Sequence, residues 1–201
     1  DQASTLYLCV SEAHLKNSDL WLRGMTGCIL AACTRARRNG CPRYKTLLLL
    51  DEMAVLGRLD VLEENSGLLR AYCTPVLIWQ NIPQVERVYG ASAPTFLANA
   101  SCKVFFGVQD DTTARHASVM CGQTTTRAHS NGMSQAPDAV LRASHSQGEA
   151  DSGYWLIDPS EVQRLVHHAV IKMIHVVYPL HVRRLDYRKG RRWKGRWDYW
   201  G

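Results

Sequence analysis

The sequence predicts an α/β fold: a mostly parallel sheet covered on both faces by helices, followed by a basic tail. Three observations carry this reading. The apolar runs Lys45–Leu50, Pro75–Trp79 and Lys103–Val108 lack polar alternation, which suits strands buried on both faces. Segments of helical character alternate with those runs, the pattern of a layered α/β domain. Polar groups cluster where each run ends, at Asp51-Glu52, Gln80-Asn81 and Gln109-Asp110, and ligands of open α/β sheets sit at those carboxyl ends.

The elements follow in chain order. Thr5–Val10 is a short β-type run. Asn17-Ser18-Asp19 supplies cap chemistry for a helix whose apolar side carries Leu20, Leu22, Met25, Ile29, Leu30 and Cys33. That helix ends near Arg38-Asn39-Gly40, with basic residues in the last turn and glycine after it. Lys45–Leu50 is the first buried strand, and Asp60–Tyr72 reads as helix. Pro75–Trp79 is the second strand, followed by short helices at Pro83–Tyr89 and Pro94–Ala100. Lys103–Val108 is the third strand, and Asp110-Asp111-Thr112 caps a helix to Met120 that Cys121-Gly122 stops.

Residues 123–153 are rich in Ser, Thr, Gly, Ala and His and poor in large apolar side chains, which predicts a long mobile loop. Ser144-His145-Ser146 lies there without a scaffold to orient catalysis. Asp158-Pro159-Ser160-Glu161 opens a short helix to Leu165, with proline in the first turn. Val170–Tyr178 reads as a strand that Pro179 ends. The organisation is thus a sheet-forming region over 1–122, a loop over 123–153, a returning helix and strand over 154–180, and a tail over 181–201.

Composition narrows the function classes. The chain has 201 residues, 46% of them hydrophobic, enough for one domain with a core. Seven cysteines, an odd number with no Cys-x-x-Cys pair, argue against a disulfide framework or zinc knuckle and for a reducing compartment. His167-His168 and His175 have no Cys or carboxylate at ligand spacing and read as structural. No apolar run approaches the roughly 20 residues that span a bilayer. The opening Asp1-Gln2 is neither an initiator Met nor a signal peptide, so a processed or excised piece is expected. The formal net charge is +6, and residues 181–201 hold eight Lys or Arg against two Asp, so the whole excess belongs to the tail.

An apolar strand ending in Asp-Glu has a definite use in phosphate-loop ATPases. The Asp holds Mg²⁺, through water, and the adjacent Glu polarises the water that attacks the γ-phosphate. Leu47–Glu52 meets that pattern, although many buried strands end in an acid that only caps the next helix. Gln80 ends the next strand, where an amide reaches the γ-phosphate or the attacking water; its alternative role is to cap the helix at Pro83 or to bond to backbone. Arg58 and Arg70 are candidates for a finger that stabilises a neighbour's transferring phosphate, Arg70 the preferred one, and a surface ion pair is the alternative for each. In the tail, Arg188, Lys189, Arg191, Arg192, Lys194 and Arg196 interleave with Trp193 and Trp197. Such a segment either neutralises phosphates and stacks on bases or packs its rings back on the domain.

From Leu47 onward a specific likeness emerges. Leu-Leu-Leu-Leu-Asp-Glu-Met-Ala-Val-Leu-Gly-Arg-Leu (47–59) resembles the Walker B region of type IV secretion coupling proteins, the TraG/TraD-type conjugation ATPases, with Met53 in place of the usual Phe. The likeness runs on through Ile78-Trp79-Gln80-Asn81, Gln84, Tyr89-Gly90, Leu97-Ala98-Asn99, Gly122-Gln123-Thr124-Thr125 and Asp158-Pro159-Ser160-Glu161-Val162. It reaches Lys194-Gly195-Arg196-Trp197-Asp198, and Thr5-Leu6-Tyr7-Leu8 resembles the strand that re-enters the motor domain after the family's helical insertion.

The resemblance implies part of a RecA-like P-loop NTPase three-layer sandwich, residues 1–122 forming the C-terminal part of the motor domain. It implies an ATP hydrolase working as a hexameric ring of an inner-membrane protein, with this chain on the cytoplasmic side. Its partners would be copies of itself, single- or double-stranded DNA, the relaxase and relaxosome, and components of the type IV secretion channel. It matches Asp51, Glu52 and Gln80 to the Walker B and sensor positions, with Asp51 and Gln80 toward ATP and Mg²⁺, and matches Arg70 to the finger approximately. No Gly-x-x-x-x-Gly-Lys-Ser/Thr occurs in the chain. The phosphate loop, membrane helices and helical insertion are expected before Asp1, so this chain alone is not expected to turn over ATP. Two other readings stand beside it: a non-catalytic module that recruits DNA or a partner through the tail, and a different RecA-like DNA translocase.

Overall fold

The computed structural model describes residues 4–38, 40, 44–64, 71, 73–134 and 144–195. Contacts divide the chain into two compact units, Asp1–Ser101 and Cys102–Gly201.

The first unit begins with a 3-10 turn, Glu12–Asn17, leading into helix α1, Asp19–Arg38. Asp19 favours the positive end of the α1 dipole and pairs with Arg23 one turn on, at 3.4 Å. Thr26 and Leu30, one helical turn apart, are the buried positions of its inner face. Strands β1, Thr46–Leu50, and β2, Cys73–Leu77, pair in parallel, with Leu48 opposite Pro75 and Leu50 opposite Leu77. Parallel neighbours need a crossover. Here it contains the short helices α2, Met53–Leu56, and α3, Asp60–Glu64. Leu30 of α1 joins Leu48, Leu50, Met53, Leu56, Leu59, Leu62 and Cys73 in one core, and Met53 is fully buried. Beyond β2 come α4, Ile82–Tyr89, and α5, Ala93–Ala98. Their Tyr89 and Phe96 rings stack at 4.1 Å, and Trp79 meets both edge-on at about 6 Å.

Two expectations for this unit are corrected, and a third falls partly outside the described residues. Thr5–Val10 is not a strand: no neighbour among the described residues offers it a ladder. Among the described residues of this unit, the β1–β2 pair is covered on one face rather than two. The pleat sends Leu48 and Leu50 into the core, while Leu47 and Leu49 are 65% and 59% exposed, beside exposed Val76 and Ile78. The helix expected over 60–72 is described only as α3, and the rest of it, apart from Ala71, lies outside the described residues.

The second unit holds β3, Cys102–Phe106, then α6, Asp111–Cys121. Asp110 caps α6 by accepting from the Thr113 N–H at 2.8 Å, and Gly122 ends it at φ 87°. The buried face of α6 is small (Ala114, Ala117, Ser118), which lets it lie close on Phe105, Val108, Ile157 and Val162. Helix α7, Pro159–Arg164, starts with a complete capping box: Asp158 accepts from the Ser160 and Glu161 N–H groups, and Glu161 accepts from the Asp158 N–H.

The expected parallel partner for the third strand is also corrected. β3 pairs antiparallel with β6, His168–Met173, which pairs antiparallel with β7, Leu180–Arg183. The strand expected over 170–178 stops at Met173, where the chain turns. Lys172 ties that turn by donating to the carbonyls of Val176 and Val177 at 3.0 and 2.7 Å. Residues 123–153 are not a plain loop. Strands β4, Gln123–Ser134, and β5, Ser144–Trp155, form an antiparallel ladder from Gln123↔Trp155 to Ser134↔Ser144. Composition misses it because these residues carry almost no apolar alternation to announce a strand. Residues 135–143 lie outside the described residues. Among the described residues no helix is long and apolar enough to cross a membrane.

Candidate active site

Parallel pairing sets the carboxyl ends of β1 and β2 side by side. The Ile78 N–H donates to the Leu50 carbonyl, and the Met53 N–H donates to the Ile78 carbonyl, both at 3.0 Å. Asp51-Glu52 and Gln80 emerge at this seam. Glu52 is the one non-glycine residue with positive φ among the described residues, at φ 57° and ψ 57°. Left-handed backbone costs an ordinary side chain roughly 1–2 kcal/mol. Here the Met53–Ile78 bond on the residue's far side holds it, and the turn sends the Glu52 side chain toward β2.

The carboxylate arrives at an amide. Gln80 Nε2 donates to Glu52 Oε1 at 2.9 Å. Gln80 Oε1 accepts from Gln84 Nε2 at 3.0 Å, and the Gln80 backbone N–H donates to Gln84 Oε1 at 3.2 Å. Asn81 is the N-cap of α4 and accepts from the Gln84 N–H at 3.0 Å. The alternative role for Gln80 as a helix cap is therefore filled by Asn81, which leaves the Gln80 amide to bridge Glu52 and Gln84. Asp51 Oδ1 accepts from the Glu52 N–H at 3.1 Å, and Asp51 itself is exposed.

The other candidates fare differently. Arg58 lies 3.0 Å from both Asp60 and Glu63, which satisfies the ion-pair reading of that residue. Arg70 lies outside the described residues. In the tail, Arg188 and Lys189 turn onto Asp186, at 3.2 and 3.8 Å. The Arg188 side chain, and then its backbone N–H, hold the Asp186 carboxyl below the usual carboxylate range. Arg191–Trp193 form a 3-10 turn, with the Arg192 guanidinium 6.0 Å from the Trp193 ring and Trp193 40% exposed. Arg191, Arg192 and Lys194 are exposed, while Arg196 and Trp197 lie outside the described residues. His168 and His181 face each other across β6 and β7 with ring centroids 4.7 Å apart and the rings tilted by 43°.

Gln84 is the residue to which sequence reasoning gave no role. Its signal is positional: it stands three residues after the Asn81 cap, where a Glu or Gln side chain reaches back past the helix start.

Comparison with known proteins bears on the family and the fold. A sequence model of the family described as type IV secretory system conjugative DNA transfer matches residues 1–196. The chain is 29% identical to Protein VirD4 of Rhizobium rhizogenes over 92% of its own length and 27% of that protein. It is 34% identical to the conjugal transfer protein TraG of Rhizobium radiobacter over 64% of the chain and 20% of that protein. The chain thus spans about a quarter of the length of its VirD4 relatives. Its fold resembles a bacterial conjugative coupling protein, TrwBdeltaN70 in a trigonal form with sulphate. There the TM-score is 0.60 and the identity 20%, covering 83% of this chain and 38% of that one. A monoclinic form of the same protein gives 0.55 over 72% and 32%. The fold is RecA-like, and the chain belongs to the type IV secretion coupling-protein family of conjugative DNA transfer.

Proposed function

We propose that this chain carries the hydrolysis-side half of the ATPase centre of a conjugative coupling protein, which works as a ring at the inner membrane and feeds relaxase-bound DNA to a type IV secretion channel. The observation that carries the reading is the hydrogen bond from Gln80 Nε2 to Glu52 Oε1, made at the paired ends of two parallel strands beside Asp51. The residues suit the group the family uses. Asp51 offers a hard oxygen donor at an exposed position, and among the described residues no hydrogen bond or ion pair engages its Oδ2. ATP with Mg²⁺ supplies, when bound, the electrophilic phosphoryl group and the neutralisation of its charge. Asp51 would hold the cation, Glu52 would orient a water and take up its proton, and Gln80 would fix the Glu52 carboxylate. The phosphate loop and finger come from outside the described residues.

The test uses the full-length protein that carries this chain. Glu52→Gln is expected to abolish hydrolysis and leave ATP binding intact. Turnover at the wild-type rate removes Glu52 from this role.

The tail supports a second activity, contact with nucleic acid. Asp186 and the 3-10 turn fix a short basic hook around a partly exposed indole, a combination that neutralises phosphate and stacks on a base. Deleting residues 188–201 is expected to weaken DNA binding and flatten its salt dependence. Unchanged affinity and slope assign the hook to packing.

A further inference from the structure

We infer that Gln84 is a positioning residue that sets the polarity of the site through a directed chain of hydrogen bonds. The inference rests on the ATPase reading above. An amide side chain can be turned either way, its oxygen and nitrogen exchanged, so a bond from Gln80 to a carboxylate needs something to decide its sense. The Gln80 backbone N–H decides it, because that group can only donate. It donates to Gln84 Oε1 at 3.2 Å, which leaves the Gln84 amide nitrogen pointing at the Gln80 side chain. Gln84 Nε2 donates to Gln80 Oε1 at 3.0 Å, which in turn leaves Gln80 Nε2 toward Glu52. Gln80 Nε2 donates to Glu52 Oε1 at 2.9 Å. Each step follows from the one before, and the reversed sense sets an amide oxygen against a carboxylate.

Gln84 itself is fixed at the start of α4, its N–H held by the Asn81 side chain at 3.0 Å. In an ordinary capping box the third residue of the helix reaches back to the cap residue's own N–H. Gln84 reaches one residue further, to Gln80, and exchanges a second bond with that side chain. A residue that only capped the helix needs an acceptor alone, and glutamate serves that role equally. A residue that sets the polarity of Gln80 needs the donor as well.

This difference defines the experiment, steady-state ATP hydrolysis by the full-length protein. Gln84→Glu keeps the acceptor and loses the donor, so Gln80 meets a carboxylate on each side and its nitrogen is no longer directed to Glu52 alone. The expected result is a fall in kcat of about tenfold with KM for ATP within about twofold, and the same for Gln84→Met. Because Gln84 acts through Gln80, the Gln80→Met, Gln84→Met double variant is expected to be no slower than Gln80→Met alone. Wild-type kcat in Gln84→Glu, or a double variant slowed by the product of the two single effects, overturns the inference. Glu52→Gln, run alongside, separates the two readings: if it hydrolyses ATP normally the ATPase assignment fails, whereas its loss with an unaffected Gln84→Glu removes only the role of Gln84.

Discussion

Gln80 and Glu52 stand 28 positions apart in the sequence and 2.9 Å apart in the structure. Neither β1 nor β2 creates that approach alone. It follows from their parallel register, which aligns Leu50 with Leu77, and from the left-handed turn at Glu52 that carries its side chain across to the next strand. The site is therefore sensitive to backbone conformation as well as to residue type.

Glu52→Gly tests the conformational half of that statement. Glycine adopts φ near 57° freely, whereas in an ordinary helical position it costs about 1 kcal/mol relative to alanine. Here the expected change in unfolding free energy is zero or a gain of up to about 1 kcal/mol, read by chemical denaturation. A loss larger than that shows that the Glu52 side chain, not its backbone, holds the turn.

In the second unit, Ser118→Ala should destabilise by about 1–2 kcal/mol. Ser118 is almost fully buried and its hydroxyl donates to the Ile157 carbonyl at 2.6 Å, joining α6 to the segment that enters α7. Alanine leaves that carbonyl without its partner in an apolar setting. Equilibrium unfolding of the two proteins measures the difference, and equal midpoints refute it.

The α7 cap should contribute to acid sensitivity. The Ser160 side chain, then the Glu161 N–H, hold the Asp158 carboxyl below its ordinary value of 3.8. A group whose folded pKa is depressed stabilises the fold above the ordinary carboxylate range, and that contribution is lost as pH falls through the depressed value. Asp158→Asn can still cap the helix but cannot titrate. Its unfolding free energy should fall less steeply than the wild-type value as pH drops below 3.8. Parallel acid limbs in the two proteins would show that the cap does not contribute.

Gly190→Ala should displace Trp193. Gly190 has an ordinary φ of −83°, so its requirement is space: a Cβ there would lie 2.9 Å from Trp193 Cδ1. The expected readout is a shifted indole N–H resonance for Trp193, with the other indoles unmoved. An unchanged resonance means the ring already avoids that position in solution.

Much of this was legible in the sequence because the signals were local. Leu47–Leu50 followed by Asp51-Glu52 announces a strand end, Pro83 announces a helix start, and the cap at Asp158 is written in four consecutive residues. What sequence could not supply was set by partners. Whether Leu47 and Leu49 are covered depends on what lies across the sheet, not on their hydropathy. The antiparallel pairing of β3 with β6 joins stretches that share no local signal. The ladder of β4 with β5 has almost no apolar pattern to announce it. Gln84 was visible as part of a family resemblance, yet its hydrogen bonds to Gln80 emerge only when the first turn of α4 is built.

The parallel pairing of β1 and β2 also fixes when the site can exist. The stretch from Asp51 to Tyr72 must close as a loop before the first ladder bond between the strands forms, and that entropy is spent before any contact repays it. The contact between Glu52 and Gln80 thus forms only with the β1–β2 pairing and is dismantled as soon as β2 peels from β1. Trp79, adjacent to Gln80 and packed on Tyr89 and Phe96, places an intrinsic fluorophore beside that event. Its emission during refolding and the recovery of the acid–amide pair should share one rate.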